Sequence, residues 1–65
     1  MRIQLNGVPR ETEAATLDAL LIEAGYADAV VATAVNGDFV PAAARASTTL
    51  NQGDAIEVVA PMQGG

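Results

Sequence analysis

The chain begins with an alternation of polar and apolar residues, since "RIQLN" places both of its aliphatic residues on one face of a strand. Asn6, Gly7 and Pro9 then form a cluster of turn residues, and "RETE" follows as a short second strand. Residues 1–13 are therefore predicted to form a β-hairpin with a loop of about four residues.

The apolar period changes to that of a helix in "TLDALLIEAG". Thr16 is the predicted N-cap, and Asp18 lies in the first turn, where the helix dipole favours negative charge. Gly25 is placed to end the helix in a left-handed conformation. Residues at spacings i, i+3, i+4 and i+7 give one apolar stripe: Leu17, Leu20, Leu21 and Ala24.

The second half of the chain reads as strands separated by turns. "VVATAV" is a β-branched run that is apolar at both parities, and Asn36-Gly37 before "DFV" is a strong hairpin signal. Pro41 ends that strand, "AAARA" is long enough for one helical turn, and "NQGD" is a turn. "AIEVVA" then closes the fold as a strand with Ile56 and Val58 facing inward.

The predicted fold is α+β with the order ββαββ. One amphipathic helix covers only one face of a sheet, and the last strand fits best beside the first and parallel to it, which gives the mixed sheet of a β-grasp fold. We expect the helix stripe to pack on Ile3, Leu5, Ile56 and Val58. The predicted core consists of the larger aliphatic residues: Ile3, Leu5, Leu17, Leu20, Leu21, Val31, Val35, Val40, Leu50, Ile56 and Val58.

The sheet face away from the helix is expected to be open. Val59 and the alanines of the third strand should be partly exposed there, with Phe39 beside them. A contiguous apolar patch of this kind would mark an interface, so Phe39 and Val59 are candidate docking residues. Pro61 removes a ladder donor and should end the last strand, which divides the chain into a domain at 1–61 and a flexible tail at 62–65.

Composition limits the kind of partner. The 65 residues fit one domain, and 14 alanines within the apolar 51% leave few large side chains for a core. A net charge of −5 argues against nucleic acid and suits a basic partner surface, although such a charge also simply keeps a small domain soluble. Without an apolar run of about 20 residues, or an apolar start resembling a signal peptide, we expect a soluble, cytoplasmic protein that does not enter membranes and is monomeric when free.

The side chains offer little for catalysis. The absence of cysteine excludes disulfides and thiolate metal sites, and histidine and lysine are also missing. The eight carboxylates are spread along the chain, Ser47 has no nearby base, and no glycine belongs to a phosphate-binding motif. We therefore expect no enzyme activity, metal or bound cofactor of its own.

The most distinctive reactive group is then the carboxylate of Gly65 at the end of "PMQGG". Gly64 and Gly65 have no β-carbon to obstruct a narrow channel. Fully extended, residues 62–65 reach about 13–14 Å at roughly 3.3–3.6 Å per residue, enough to enter the active site of a partner while the body docks outside. A frayed, functionless end is the other interpretation of the same residues.

Two stretches, "VATAVNGDFVP" and "LNQGDAIEVVAPMQGG", together with the chain length, resemble the ThiS family, the sulfur carriers of thiamine biosynthesis. The resemblance covers essentially the whole chain and implies a ubiquitin-like β-grasp fold. A Gly-Gly end alone is shared with ubiquitin and its relatives, whereas "VNG", "GD" and "PMQGG" at these spacings are more specific. One departure is "PAAARA", which lacks the basic and aromatic residues that many relatives carry after this proline.

The resemblance implies a role for each residue of the tail. An E1-like adenylyltransferase would use ATP to adenylate the carboxylate of Gly65, a sulfur donor protein would convert it to a thiocarboxylate, and a thiazole synthase would take the sulfur. Gly64 is the neighbour of the reacting residue, and Pro61, Met62 and Gln63 form the rest of the tail within the partner's channel.

Three alternatives stay open at this point. The small subunit of molybdopterin synthase shares the fold and the thiocarboxylate, but such chains tend to be longer and richer in aromatic residues. A protein modifier would be conjugated through Gly65, although without lysine it could not form lysine-linked chains of itself. The last alternative is a β-grasp interaction module with an inert tail.

Overall fold

The computed structural model describes residues 1–60, and the expectations for Pro61 and the tail at 62–65 lie outside this range. Within residues 1–60 the chain forms five strands, one α-helix and one 3₁₀ helix. Their bounds in chain order are β1 (Arg2–Leu5), β2 (Val8–Glu11), α1 (Leu17–Glu23), β3 (Ala32–Val35), β4 (Asp38–Val40), the 3₁₀ helix (Ala42–Ser47) and β5 (Ala55–Val59).

The five strands form one mixed sheet in the order β2-β1-β5-β3-β4. The last strand lies in the centre, parallel to β1 with Gln4 opposite Ala55, and antiparallel to β3 with Thr33 opposite Val58. This arrangement confirms the predicted ββαββ order and the parallel pairing of the first and last strands.

The first hairpin differs from its prediction. Its turn consists of two residues, Asn6 and Gly7, whose φ angles of 52° and 81° both lie in the left-handed region required by a type I′ turn. The predicted loop of about four residues was wrong because Pro9 belongs to β2, opposite Gln4. Hydrogen-bonded and non-hydrogen-bonded pairs alternate along an antiparallel ladder, and at Pro9 the position of the missing N–H faces away from β1. Because β2 is an edge strand, no other strand needs a donor on that side, and the chain tolerates the proline.

The second hairpin has the predicted Asn36-Gly37 turn, with φ angles of 52° and 87°. Its first strand is shorter than "VVATAV", since β3 begins at Ala32. The reason lies in the partner strand: Val59, the last residue of β5, is opposite Ala32, and no ladder continues beyond that pair. Val30 is accordingly 80% exposed.

Helix α1 begins and ends at the predicted residues. The Thr16 Oγ1 accepts a hydrogen bond from the Ala19 N–H at 3.2 Å, which satisfies one of the free donors of the first turn. Gly25 follows the helix with a φ of 93°, a conformation that costs glycine no steric strain. Leu17, Leu20 and Leu21 are buried, as the stripe predicts.

One core lies between α1 and the inner face of the sheet, and the helix stripe packs there on strands β1 and β5 as expected. Leu5, Val31 and Val35 belong to the predicted core but are only partly buried at its edge. The buried apolar residues are Ile3, Ala14, Leu17, Leu20, Leu21, Val40, Leu50, Ile56 and Val58.

A buried polar residue, Thr33, ties the 3₁₀ helix to the sheet. The Thr33 Oγ1 donates to the Val40 carbonyl at 2.7 Å and accepts from the Arg45 Nε at 3.0 Å. The Arg45 Nη2 also donates to the Val31 carbonyl at 2.6 Å. These contacts hold a 3₁₀ helix of six residues, longer than the single turn predicted from "AAARA". No helix of the described residues has the length and apolar character needed to cross a membrane.

Candidate functional site

The predicted reacting residue, Gly65, and the tail residues Pro61, Met62, Gln63 and Gly64 lie beyond the part of the chain that the structure describes, and their roles stay predictions. The site can therefore be built only from its base. That base is the end of β5 and the surface around it, from which the chain continues toward the tail.

The end of β5 is held by the side chain of Asn6. The Asn6 Oδ1 accepts from the Val58 N–H at 2.8 Å, and the Asn6 Nδ2 donates to the Val58 carbonyl at 3.2 Å. The backbone N–H of Asn6 also donates to the Ile56 carbonyl at 2.9 Å. The side-chain amide of Asn6 thus pairs with Val58 as the backbone of one further β1 residue would. It extends the parallel ladder between β1 and β5 as far as Val58.

The side chain of Asn36 holds the start of β5, on the side of the strand that faces β3. Its Oδ1 accepts from the Ala55 N–H at 2.9 Å, and its Nδ2 donates to the Asp54 Oδ1 at 2.9 Å. Sequence reasoning used both Asn-Gly pairs only as turn signals and missed these contacts. The available signal was the asparagine itself, because of the residues common in type I′ turns only asparagine offers an amide donor and acceptor together.

We call the sheet face away from α1 the outer face. On this face Ala34 lies opposite Phe39 of β4, and Ala32 lies opposite Val59 of β5. Opposite residues share a face and are neighbours, so these four residues form a continuous apolar strip. We call it the Phe39–Val59 strip after the two residues at its ends, and it consists of Phe39, Ala34, Ala32 and Val59. Phe39 and Val59 are 70% and 62% exposed. The structure therefore places both predicted docking residues on one open face, while their docking role stays a prediction.

The strip continues into a shallow groove beside the end of β5. The groove is lined by Val30 and Val31 together with Ala32 and Val59. Sequence reasoning assigned Val30 and Val31 to a strand and so did not place them on this surface. Their position brings the apolar surface next to Val59, three residues before the tail at 62–65 begins.

A polar network lies where the first hairpin meets α1. The Thr12 Oγ1 donates to the Glu23 Oε2 at 2.7 Å, and the Arg10 Nη2 is 3.4 Å from the Glu23 Oε1. The hydrogen bond from Thr12, with smaller help from Arg10, holds the pKa of the Glu23 carboxyl below its usual value. Among the residues described, no group of three or more potential ligands could hold a metal ion, and this network serves to fasten the hairpin to the helix.

Comparison with known proteins adds to this geometry. A model of the ThiS family matches residues 3–65. The chain is 33% identical to a protein of known crystal structure described as thiamine biosynthesis protein (ThiS) from Geobacter metallireducens, with a TM-score of 0.81 and 100% of both chains covered. An NMR solution structure of a thiamine biosynthesis protein from Geobacter metallireducens is 30% identical, with a TM-score of 0.79, covering 100% of this chain and 88% of the other. No curated protein matches the chain.

Proposed function

This chain belongs to the ThiS family, and we propose that it is a sulfur carrier protein whose thiocarboxylate at Gly65 supplies sulfur for the thiazole ring of thiamine. The observation that carries the proposal is a family match that extends through Gly65. The similar structures, both described as thiamine biosynthesis proteins, support the assignment to this pathway.

The proposed adenylation and sulfur transfer take place at the C-terminal carboxylate and need no catalytic side chain of the carrier. A carboxylate is a poor electrophile, so one of its oxygens first attacks the α-phosphorus of ATP on the activating enzyme, and pyrophosphate leaves. Hydrosulfide delivered by the sulfur donor protein then attacks the carbonyl carbon of the acyl adenylate. The bond from that carbon to the AMP oxygen breaks, AMP leaves with the electron pair, and the thiocarboxylate remains with no change of oxidation state. In this proposal ATP belongs to the partner, and the carrier is a protein substrate rather than an enzyme.

The body of the carrier has the task of docking. The Phe39–Val59 strip provides an apolar surface for the E1-like adenylyltransferase and, in turn, for the sulfur donor protein and the thiazole synthase. The Asn6 amide fixes Val58 and so holds the end of β5 in place relative to that surface. If fully extended, residues 62–65 would reach about 13–14 Å at roughly 3.3–3.6 Å per residue, which is enough for Gly65 to enter the partner's active site.

The test compares two tail variants, Gly64→Ala and deletion of Gly65, with the control Ser47→Ala, a change at an exposed residue of the 3₁₀ helix. We expect all three to keep the parent melting curve. Gly64→Ala should lower adenylation on the order of a hundredfold, because a methyl group in a channel shaped for bare backbone displaces the reacting carbonyl by about 1 Å. Deletion of Gly65 should lower it at least as much, because the terminal carboxylate is then withdrawn by one residue, roughly 3.3–3.6 Å. Ser47→Ala leaves the tail and the outer face unchanged, so it should react at near the parent rate.

Adenylation is measured by ATP–pyrophosphate exchange, and thiocarboxylate formation by intact mass, as the replacement of one oxygen by sulfur. Unchanged adenylation after deletion of Gly65 would refute the proposal. Sulfur transfer to the large subunit of molybdopterin synthase instead of the thiazole synthase would favour that pathway, and isopeptide conjugates to other proteins would favour a modifier.

A further inference from the structure

A single carboxylate lies within the apolar surface of the outer face. Glu57 is opposite Ala34 on β3, and its neighbours on the same face of β5 are Ala55 and Val59. The side chain of Glu57 is exposed, and within residues 1–60 its carboxylate takes part in no hydrogen bond or ion pair. A partner that covers the Phe39–Val59 strip must therefore cover this charge as well.

The cations of the chain are all engaged away from Glu57, and the N-terminal ammonium donates to the Thr12 carbonyl at 3.1 Å. The three basic side chains are all arginines, and each is engaged elsewhere. The Arg2 Nε is 3.2 Å from Glu11, and Arg10 bonds to Glu23 at 3.4 Å. Arg45 is held by Thr33 and by the backbone of β3.

These observations restrict what can cover the outer face. Burial of an unpaired carboxylate is costly because the charge loses its hydration without gaining a partner. In a symmetric dimer through this face, both copies would bury Glu57, and pairing it with Arg2 of the other copy would break the exposed Arg2–Glu11 pair and bring together two chains of net charge −5. A second copy of this chain is thus a poor occupant, whereas a basic partner also complements the net charge of −5.

We propose that the outer face docks on an apolar protein surface bearing an arginine or lysine opposite Glu57, and that Glu57 determines which partner is accepted. The inference rests on the proposed function, since the partner that tests it is the E1-like adenylyltransferase of the same organism. The Glu57 carboxylate would then disfavour binding to a second copy of this chain and to any partner that lacks a cation opposite it.

The experiment measures KM and kcat for adenylation of the parent, Glu57→Gln, Glu57→Lys and the controls Asp18→Asn and Asp18→Lys. Asp18 is exposed on α1, which packs on the other face of the sheet, and its variants change the net charge by the same amounts. We expect Glu57→Lys to raise KM about tenfold or more with kcat nearly unchanged, and Glu57→Gln to raise it severalfold, because each loses the attraction between Glu57 and the partner's cation. Both Asp18 variants should stay within about twofold of the parent KM. Added salt should raise the KM of the parent more than that of Glu57→Gln, because screening weakens only a charge pair that is present.

Two results would overturn the inference. One is equal KM for Glu57→Lys and Asp18→Lys while the parent is adenylated normally, which leaves the proposed function standing. The other is a parent dimer, seen by sedimentation equilibrium, that Glu57→Lys dissociates, because a second copy would then occupy the outer face. Failure of the enzyme to adenylate the parent at all is a different result, which would overturn the proposed function together with the inference.

Discussion

Replacement of Asn6 by glycine tests whether its side chain fastens the end of β5. Glycine keeps the left-handed backbone of the turn, where Asn6 has a φ of 52°, but it removes both hydrogen bonds to Val58, of 2.8 and 3.2 Å. Each such bond contributes about 0.5–1.5 kcal/mol net, so the loss is about 1–3 kcal/mol. Glycine recovers a few tenths to about 1 kcal/mol because it has less strain at positive φ. We therefore expect a net loss between about 0 and 2.7 kcal/mol, with a midpoint of about 1.4 kcal/mol.

The matched variant is Asn36→Gly, which makes the same backbone change in a turn with the same φ of 52°. Asn6 protects the amide of Val58, whereas Asn36 protects the amide of Ala55 at 2.9 Å. Native-state hydrogen exchange should therefore show selective loss of protection at Val58 in Asn6→Gly and at Ala55 in Asn36→Gly. Equal protection of both amides in the two variants would refute the idea that each asparagine holds its own end of β5.

Two further predictions concern the body of the fold. Leu20→Ala should lower the free energy of unfolding by about 2–5 kcal/mol, because Leu20 is fully buried. Ile22→Ala, on the exposed side of the same helix, should lower it by less than about 1 kcal/mol. Denaturant titrations measure both, and similar unfolding midpoints for the two variants would contradict the placement of the helix. The pKa of Glu23 is held below its usual value of 4.5, so its ionised form adds stability that is present above that value and lost as the pH falls through the lowered pKa. The stability gap between the parent and Glu23→Gln should therefore be largest near neutral pH and narrow in acid, and a gap independent of pH would contradict this explanation.

Local signals in the sequence were sufficient for much of the fold. The N-cap at Thr16 and the turn at Asn36-Gly37 depend on residues close in the chain, and both lie where they were predicted. The central position of β5 was also predictable, because one helix covers one face and the last strand needs a neighbour. The open outer face was predicted for the same reason, because one helix leaves the other face of the sheet uncovered.

Features that depend on a distant partner were not predictable in this way. β3 begins at Ala32 because its partner ends at Val59, and β2 includes Pro9 because it is an edge strand. The side-chain amide of Asn6 reaches Val58 across 52 positions of the chain, a contact that no local pattern records. The Gly65 carboxylate was singled out because the side chains offer little other reactive chemistry, whereas its adenylation and its conversion to a thiocarboxylate were inferred from the resemblance to a family.

The central position of β5 has a consequence for the order in which the molecule can fold. The parallel pairing of β1 and β5 joins residues about 50 positions apart, Gln4 with Ala55 and Leu5 with Ile56. Contacts of such high sequence separation must overcome the entropy of closing a long loop, and they form late. During synthesis the sheet lacks its middle until residues 55–59 have been made, so a chain interrupted before that point has two separate hairpins and no common sheet. A folded body is thus itself a sign that translation has passed residue 59, and a partner that recognises only the folded body does not act on chains that stop before β5.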